Sequence, residues 1–344
     1  MSIAIDCVNV AGSQTWRRFQ AACVGATFVV AVGCGLYGIE TLLLGRQHRF
    51  VENPADTMMR AVGLAHFTIG WVFLFVSPRL RNRRSILRLT GCSFVGVALC
   101  GLFGWVGDKS PFAQLAFLSF FFIHEVWDEA HLYRQSGELA VQAPAADRFL
   151  TSLCASMSLW MVTTLVGFAI LRGHWFGRSL PLREMSTFWL ALVWTCLAVL
   201  ATAATLRTIR QACAAHDSLA ATLRIYRPLL MIYAGIGVIL LVGSLFGSIG
   251  VNFIILIHAM TWLVHTQRQL SERAPSVTGA SAWLTLSPAG FVALHCAVAL
   301  FILVLFALRT HVWQRTGIVC TLLASSSFPY WGIMHISMAF WRGK

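Results

Sequence analysis

The densest group of chemically active side chains lies in one short stretch, residues 122–134. It reads FIHEVWDEAHLYR and contains two histidines and three carboxylates. Residues four and seven positions apart share one face of an α-helix, so the spacing predicts that His124, Asp128 and His131 form a single stripe. Two imidazoles and one carboxylate are the ligands of non-haem iron sites that keep coordination positions open. The stretch therefore predicts a site for one or two iron ions.

Glu125 and Glu129 form a second pair, four residues apart, beside that stripe. They could bridge a second metal ion, orient the histidines through hydrogen bonds, or act as the catalytic acid and base. A simpler interpretation stays open, because a helix end that emerges among lipid headgroups commonly carries charges, and Trp127 and Tyr133 are typical of that interface. The metal interpretation therefore needs ligands from other helices.

Three histidines inside other apolar runs are candidates for those additional ligands: His66, His258 and His335. An ionisable side chain within a membrane span is costly and usually faces the interior of a helix bundle. We expect these residues to complete the coordination of the metal, although any one of them could equally make a structural hydrogen bond. A further alternative is haem b, with His66 and His258 as its axial ligands between two helices.

The composition requires that these residues be positioned by helices that lie in lipid. Of 344 residues, 58% are hydrophobic and 11% are charged, and the mean hydropathy is +0.72. A soluble globular chain carries about 25% charged residues, so this one has too little polar surface to cover a core in water. The same figures exclude a disordered chain and a disulfide-rich secreted domain. We expect an all-α, polytopic integral membrane bundle that forms a single transmembrane domain over residues 1–344.

Ten segments are long and apolar enough to cross a hydrocarbon core of about 30 Å. The bundle should thus contain about ten transmembrane helices, nine being the alternative. The seventh and eighth are almost contiguous, but a single helix over residues 228–265 would be about 57 Å long, so we expect a turn at residues 247–250 between them. The predicted segments are 21–44, 59–78, 86–106, 111–131, 149–171, 185–205, 228–247, 250–266, 289–308 and 318–340.

Basic residues between the spans predict the orientation. Cytoplasmic loops carry an excess of Lys and Arg, and the alternate connections that begin with Arg17 and Arg18 hold about twice as many as the others. Both ends of the chain are therefore expected in the cytoplasm, and the protein in the cell (inner) membrane as a multi-pass protein. The net charge of +13 then reflects contact with lipid headgroups and not nucleic-acid binding. The first apolar segment is too long for a cleaved signal and is expected to be retained.

Three classes of function fit these residues. The first is a membrane-bound, metal-dependent oxidoreductase, of the oxygenase, hydroxylase or desaturase type, that uses non-haem iron on a lipid-like or terpenoid substrate. Its electrons would come from a cytoplasmic donor, because the chain has no flavin or nicotinamide motif. The second is a metal-free cyclase or isomerase of a prenyl or lipid substrate, in which Glu125, Asp128 or Glu129 donates a proton. The third is a haem b protein or a transporter of protons or metal ions.

Overall fold

The described part of the chain is almost entirely helical, which confirms the all-α prediction. The computed structural model describes residues 2–44, 54–75, 82–106, 111–135, 144–172, 174–175, 178–179, 187–215, 218–245, 248–273, 287–311 and 328–342. Several parts of the sequence predictions lie outside these ranges. They include residues 318–327 of the tenth span, residues 76–78 of the second, 185–186 of the sixth and 246–247 of the seventh, and loop residues such as Arg79 and Arg81, which contribute to the predicted orientation.

Eleven helices and one short hairpin follow each other within the described ranges. The helices are α1 (Ser2–Leu44), α2 (Pro54–Phe75), α3 (Arg83–Val106), α4 (Pro111–Gln135), α5 (Pro144–Arg172), α6 (Thr187–Ala215), α7 (Leu219–Ile225), α8 (Arg227–Leu245), α9 (Ser248–Arg273), α10 (Pro288–His311) and α11 (Phe328–Arg342). The hairpin lies between α5 and α6. Its strands β1 (His174–Trp175) and β2 (Arg178–Ser179) are antiparallel, with His174 opposite Ser179.

Local sequence explains where several helices begin. Proline has a fixed φ and lacks the N–H that the first helical turn leaves unbonded, and it starts α2, α4, α5 and α10: Pro54, Pro111, Pro144 and Pro288. Other helices follow a polar cap. Before α3, Asn82 Oδ1 accepts the N–H of Arg84 at 2.9 Å, and before α7, Ser218 Oγ accepts the N–H of Ala221 at 3.1 Å.

A proline also explains the sharp bend between α7 and α8. The two helices meet at Tyr226 with an angle of 78° between them, and Pro228 lies in the first turn of α8. Proline cannot donate the hydrogen bond that would continue α7. Tyr226 is fully buried, and the Tyr133 hydroxyl donates to the carbonyl of Ile225 at 2.5 Å. Packing therefore holds the bend in place.

Several helices have the length and the apolar surface of membrane spans. Within the part of the chain that the structure describes, five are long and apolar enough to cross a bilayer, and six if α7 and α8 together count as one bent span. Large apolar side chains on α3 and α6 are more than half exposed, including Phe94, Trp105, Phe188 and Trp189. Exposure of this extent is unfavourable in water but suits contact with acyl chains. The helices thus indicate a membrane protein, and α4 and α9 are not among the five that have span-like composition.

Two exposed threonines on these helices satisfy their hydroxyl groups within their own helix. Thr90 on α3 donates to the carbonyl of Ile86 at 3.0 Å, and Thr202 on α6 donates to the carbonyl of Ala198 at 2.8 Å. Both threonines lie on exposed stretches of their helices. A donor without a partner is costly in hydrocarbon, so this intrahelical bond removes that cost at lipid-facing positions.

Contacts divide the chain into two compact units. The first unit comprises residues 1–43 and 122–265, and the second comprises residues 44–121 and 266–344. Within the first unit, α5 packs along α6 and against α8. Within the second unit, α11 packs against α3 and α2, and α10 packs against α2. The single domain expected from the sequence stays a prediction.

Close helix approach in the first unit depends on a glycine. A Cβ atom at Gly235 of α8 would lie 2.3 Å from Cγ2 of Thr27 on α1. Thr27 is 3% exposed, and its hydroxyl donates to the carbonyl of Cys23 at 2.9 Å. This hydrogen bond fixes the threonine rotamer, so the methyl group cannot turn away. Only glycine fits at position 235 without moving one of the two helices.

Candidate metal centre

The chemically active stretch at residues 122–134 lies on one helix, as predicted, because α4 continues to Gln135. Its stripe brings together His124 and Asp128, and Nε2 of His124 lies 3.4 Å from Oδ2 of Asp128. The two side chains are 11% and 20% exposed. Therefore α4 supplies one imidazole and one carboxylate at a largely buried position.

The second imidazole comes from α9 of the same unit. His258 is 2% exposed, and its ring centroid lies 5.9 Å from that of His124. One ligand atom from each of His124, Asp128 and His258 lies within 4.8 Å of the other two. Metal bonds to imidazole nitrogen and carboxylate oxygen are about 2.0–2.2 Å long, so an ion between these atoms needs only small side-chain rotations. Two histidines and one carboxylate form the donor set of non-haem Fe(II) sites.

The face of α9 that carries His258 contains further polar residues. They recur at the i, i+3, i+4 and i+7 spacing of one helix side, and they are His258, Thr261, Trp262 and His265. Trp262 Nε1 donates to Oδ2 of Asp128 at 3.3 Å. The indole ring also lies next to the imidazoles of His258 and His265, at centroid distances of 6.4 and 5.9 Å. Trp262 thus restrains the carboxylate and packs against two histidines.

Two buried glutamates line the adjacent stripe of α4. Glu125 and Glu129 are 1% and 3% exposed. Glu129 accepts a hydrogen bond from the hydroxyl of Thr261, whereas neither carboxylate oxygen of Glu125 has a hydrogen-bond partner among the described residues. A buried carboxylate without a partner is costly. The pair therefore needs either protons or a cation.

His131 lies on the same helix but is exposed. Seven residues rise about 10 Å along an α-helix, so His131 is displaced along α4 from the contact between His124 and His258. Among the described residues, the group of ligand atoms that contains His124 and Asp128 is completed by His258 and not, as the stripe predicts, by His131.

No protein-family model, no curated protein and no solved structure matched the chain.

The other two predicted ligands belong to the second unit. His66 on α2 and His335 on α11 have ring centroids 5.0 Å apart, and the ring of Phe67 lies 4.7 Å from that of His335. Gly70 lies beside the imidazole, where a Cβ atom would make an ordinary van der Waals contact, 3.9 Å from Nδ1 of His335. The structure thus brings His66 and His335 together as a pair within the second unit.

Two residues near these groups in the first unit were not predicted from the sequence. The Tyr233 hydroxyl donates to the carbonyl of Val126 at 2.7 Å and lies 3.5 Å from Sγ of Cys154. Tyr233 lies in an apolar run on α8, where nothing in the sequence distinguishes it. Thr261 could have been found, because it shares a helix face with His258.

Proposed function

We propose that the chain is a membrane-bound, metal-dependent oxidoreductase with non-haem iron held by His124, Asp128 and His258. The observation that carries the proposal is the convergence of these three ligand atoms within 4.8 Å, from two helices of one unit. Zinc in catalytic sites is also bound by three protein ligands. The two-histidine, one-carboxylate set with open positions is, however, characteristic of iron enzymes that use dioxygen.

The apolar outer surface of the helices suits a hydrophobic substrate of the lipid or terpenoid class. The protein has long apolar helices with exposed aromatic side chains, so substrates dissolved in the bilayer have direct access to it. Bound iron would supply the activation of dioxygen. The chain itself would orient the ligands through Trp262 and exclude bulk water from the buried glutamates, and a separate cytoplasmic protein would donate the electrons.

Metal analysis of variants tests this proposal. Wild-type protein purified in detergent from iron-replete cells should contain iron. Loss of a ligand's hydrogen-bond partner typically costs about 10–100-fold in metal affinity. His124→Ala and His258→Ala each remove a ligand itself, so each should lower the metal affinity by a larger factor. Oxygen-dependent turnover should disappear with the metal. His131→Ala is the matched control, because it removes an exposed histidine from the same helix, and it should retain iron.

Two results would contradict the proposal. One is folded wild-type protein that is fully active without any transition metal. The other is loss of iron in His131→Ala with normal iron in His258→Ala, because the metal would then be bound by the stripe on α4 and not by α4 and α9 together.

The metal-free result would favour the second candidate, an acid–base cyclase or isomerase of a prenyl or lipid substrate. The observation behind it is Glu125, a buried carboxyl group whose oxygens have no hydrogen-bond partner among the described residues. Such a group is well placed to carry a proton for transfer to an alkene. In that case Glu125→Gln should abolish turnover that requires neither iron nor oxygen.

We also propose ten transmembrane helices, with both ends of the chain in the cytoplasm, in the cell (inner) membrane. The excess of Lys and Arg in alternate connections supports this arrangement. Arg60 is one of the arginines on the predicted non-cytoplasmic side. It is 3% exposed, and its guanidinium lies 4.9 Å from the ring centroid of Phe306. A buried arginine does not contact lipid headgroups. Leaving Arg60 out of the count therefore increases the excess of Lys and Arg in the cytoplasmic connections.

A further inference from the structure

The bend between α7 and α8 sets the direction of a short helix at one end of the first unit. α8 is 19 residues long, which is about 28 Å as a helix. That length is close to the thickness of a hydrocarbon core, about 30 Å, and α8 coincides with the seventh predicted span. α7 leaves α8 at 78°. A helix at this angle to a membrane span lies nearly parallel to the membrane surface.

The inner side of α7 is held against the ends of three other helices. The hydroxyl of Thr222 donates to the carbonyl of Ala212, near the end of α6, at 2.6 Å. The ring of Tyr226, which follows α7, lies 4.7 Å from that of Phe149 near the start of α5. It also lies 5.7 Å from the ring of Tyr133 near the end of α4. These contacts fix α7 across the end of the helices.

The outer side of α7 combines apolar and basic side chains. Leu219 and Leu223 are one helical turn apart, and they are 38% and 47% exposed. Arg224, next to Leu223, is also exposed, and so is Arg227 at the start of α8. Helices that lie in the membrane interface have this composition, because their apolar side chains enter the boundary of the acyl chains while Lys and Arg contact headgroups.

Further exposed arginines surround this side of α7. Arg210 and Arg207 lie two and five residues before Ala212 on α6, which is about 3 and 8 Å along the helix axis. Arg148 is exposed next to Phe149 at the start of α5. We call the exposed side chains at this end the α7 surface; they are Arg148, Arg207, Arg210, Leu219, Leu223, Arg224 and Arg227.

The α7 surface carries a large excess of positive charge. It holds five arginines, and the described acidic residue near it, Asp147, pairs with Arg134 at 2.5 Å. Six arginines and one aspartate leave an excess of five positive charges among the described residues at this end. A surface of this charge attracts the anionic lipids of the cytoplasmic leaflet, which is the side that the predicted orientation gives to these arginines.

We propose that the α7 surface docks on anionic phospholipids of the cytoplasmic leaflet, with α7 lying in the plane of the membrane. Charge complementarity determines the partner, because guanidinium groups match the geometry of phosphate oxygens. The two leucines fit the layer directly below, where the acyl chains begin. This docking surface is independent of the proposed iron site, and it remains whether or not the chain binds metal.

Amide hydrogen exchange in lipid nanodiscs tests the proposal. The full chain is placed in discs of phosphatidylcholine alone, or of phosphatidylcholine with about one-third phosphatidylglycerol as the anionic lipid. Mass spectrometry then measures exchange in residues 219–226. Exchange should be slower in the discs that contain phosphatidylglycerol, because docking holds α7 against the headgroups. The difference should shrink at high salt, which screens exposed charges.

Two double variants test the arginines. Arg224→Gln with Arg227→Gln should reduce the effect of phosphatidylglycerol by about fivefold for each arginine removed. Arg224→Lys with Arg227→Lys keeps both charges and should retain most of the effect. The matched control is Arg83→Gln with Arg84→Gln, which removes two exposed arginines from the start of α3. It should leave exchange in residues 219–226 as sensitive to phosphatidylglycerol as in the wild type.

Four results would overturn the proposal. The first is equal exchange of residues 219–226 in the two kinds of disc, and the second is an undiminished lipid effect in Arg224→Gln with Arg227→Gln. The third is an equal loss of the effect in the α3 control, since total charge and not the α7 surface would then be responsible. The fourth is the same slowing by inorganic phosphate in phosphatidylcholine discs, which would indicate a site for free anions.

Discussion

Trp262 shows how a single side chain can set the geometry of a proposed metal ligand. Its indole N–H donates to the same oxygen of Asp128 that faces His124. Hydrogen-bond partners of this kind orient metal ligands and raise affinity, and their loss typically costs about 10–100-fold in metal affinity or activity. The indole also packs beside the ring of His258, so it restrains one ligand from each helix.

Trp262→Phe should therefore lower iron affinity by about 10–100-fold while the protein stays folded. The phenyl ring keeps most of the packing and loses only the donor. Competition with a fluorescent chelator would measure the affinity. Trp160→Phe is the matched control, since it removes an indole bond to Thr205 at 2.9 Å on other helices, and it should leave iron binding unchanged. Equal affinities in both variants would show that the Trp262 bond is without consequence.

At this scale the sequence predicts neighbours along one helix better than neighbours across helices. The i, i+4 spacing correctly paired His124 with Asp128, because helical periodicity alone sets that distance. Helix packing decides which residue of a second helix meets them, and no periodicity encodes it. For this reason the predicted stripe included His131, which is exposed. The sequence identified His258 as a candidate ligand but did not indicate that it lies next to His124 and Asp128.

The helices themselves were the easiest feature to predict, because long apolar runs and proline or polar caps define them locally. The predicted seventh segment begins at residue 228, and α8 begins at Arg227, so the start of this helix was predicted to within one residue. Two features were not predicted. α1 begins at Ser2, well before its apolar run, and a two-strand hairpin lies between α5 and α6. Close helix contacts were not predicted either, because they depend on the fit between side chains that are distant in the sequence.

Gly235→Ala tests one of these contacts. The added methyl group would lie 2.3 Å from Cγ2 of Thr27, and we expect a destabilisation of about 1–3 kcal/mol from this overpacking. Gly237→Ala is the matched control on the same helix, because a Cβ atom there meets nothing within 4 Å. Thermal unfolding in detergent should give a lower Tm for Gly235→Ala alone. A similar Tm for both variants would mean that α1 and α8 separate at little cost.

For the whole molecule, the distribution of exposed apolar side chains agrees with a lipid environment, while the number of spans depends on the connections. An even number of spans puts both ends of the chain on one side of the membrane, and an odd number puts them on opposite sides. The positive-inside asymmetry therefore bears on the span count as well as on orientation.

Reporter fusions at successive connections would measure the arrangement. A fluorescent protein that folds only in the cytoplasm should be bright when fused at either end of the chain or at residues 136–143. A phosphatase that is active only outside should be active when fused at residues 107–110. Phosphatase activity at the carboxyl end, together with fluorescence at the amino end, would contradict ten spans and support nine.

The hydroxyls of Thr90 and Thr202, which donate to carbonyls of their own helices, affect how the chain enters the bilayer. Transfer scales count each threonine as a polar residue, but a hydroxyl already bonded to its own backbone has little left to lose when it leaves water. The insertion machinery should therefore treat α3 and α6 as more hydrophobic than transfer scales predict from their sequences. Replacing either threonine with valine should change insertion efficiency very little.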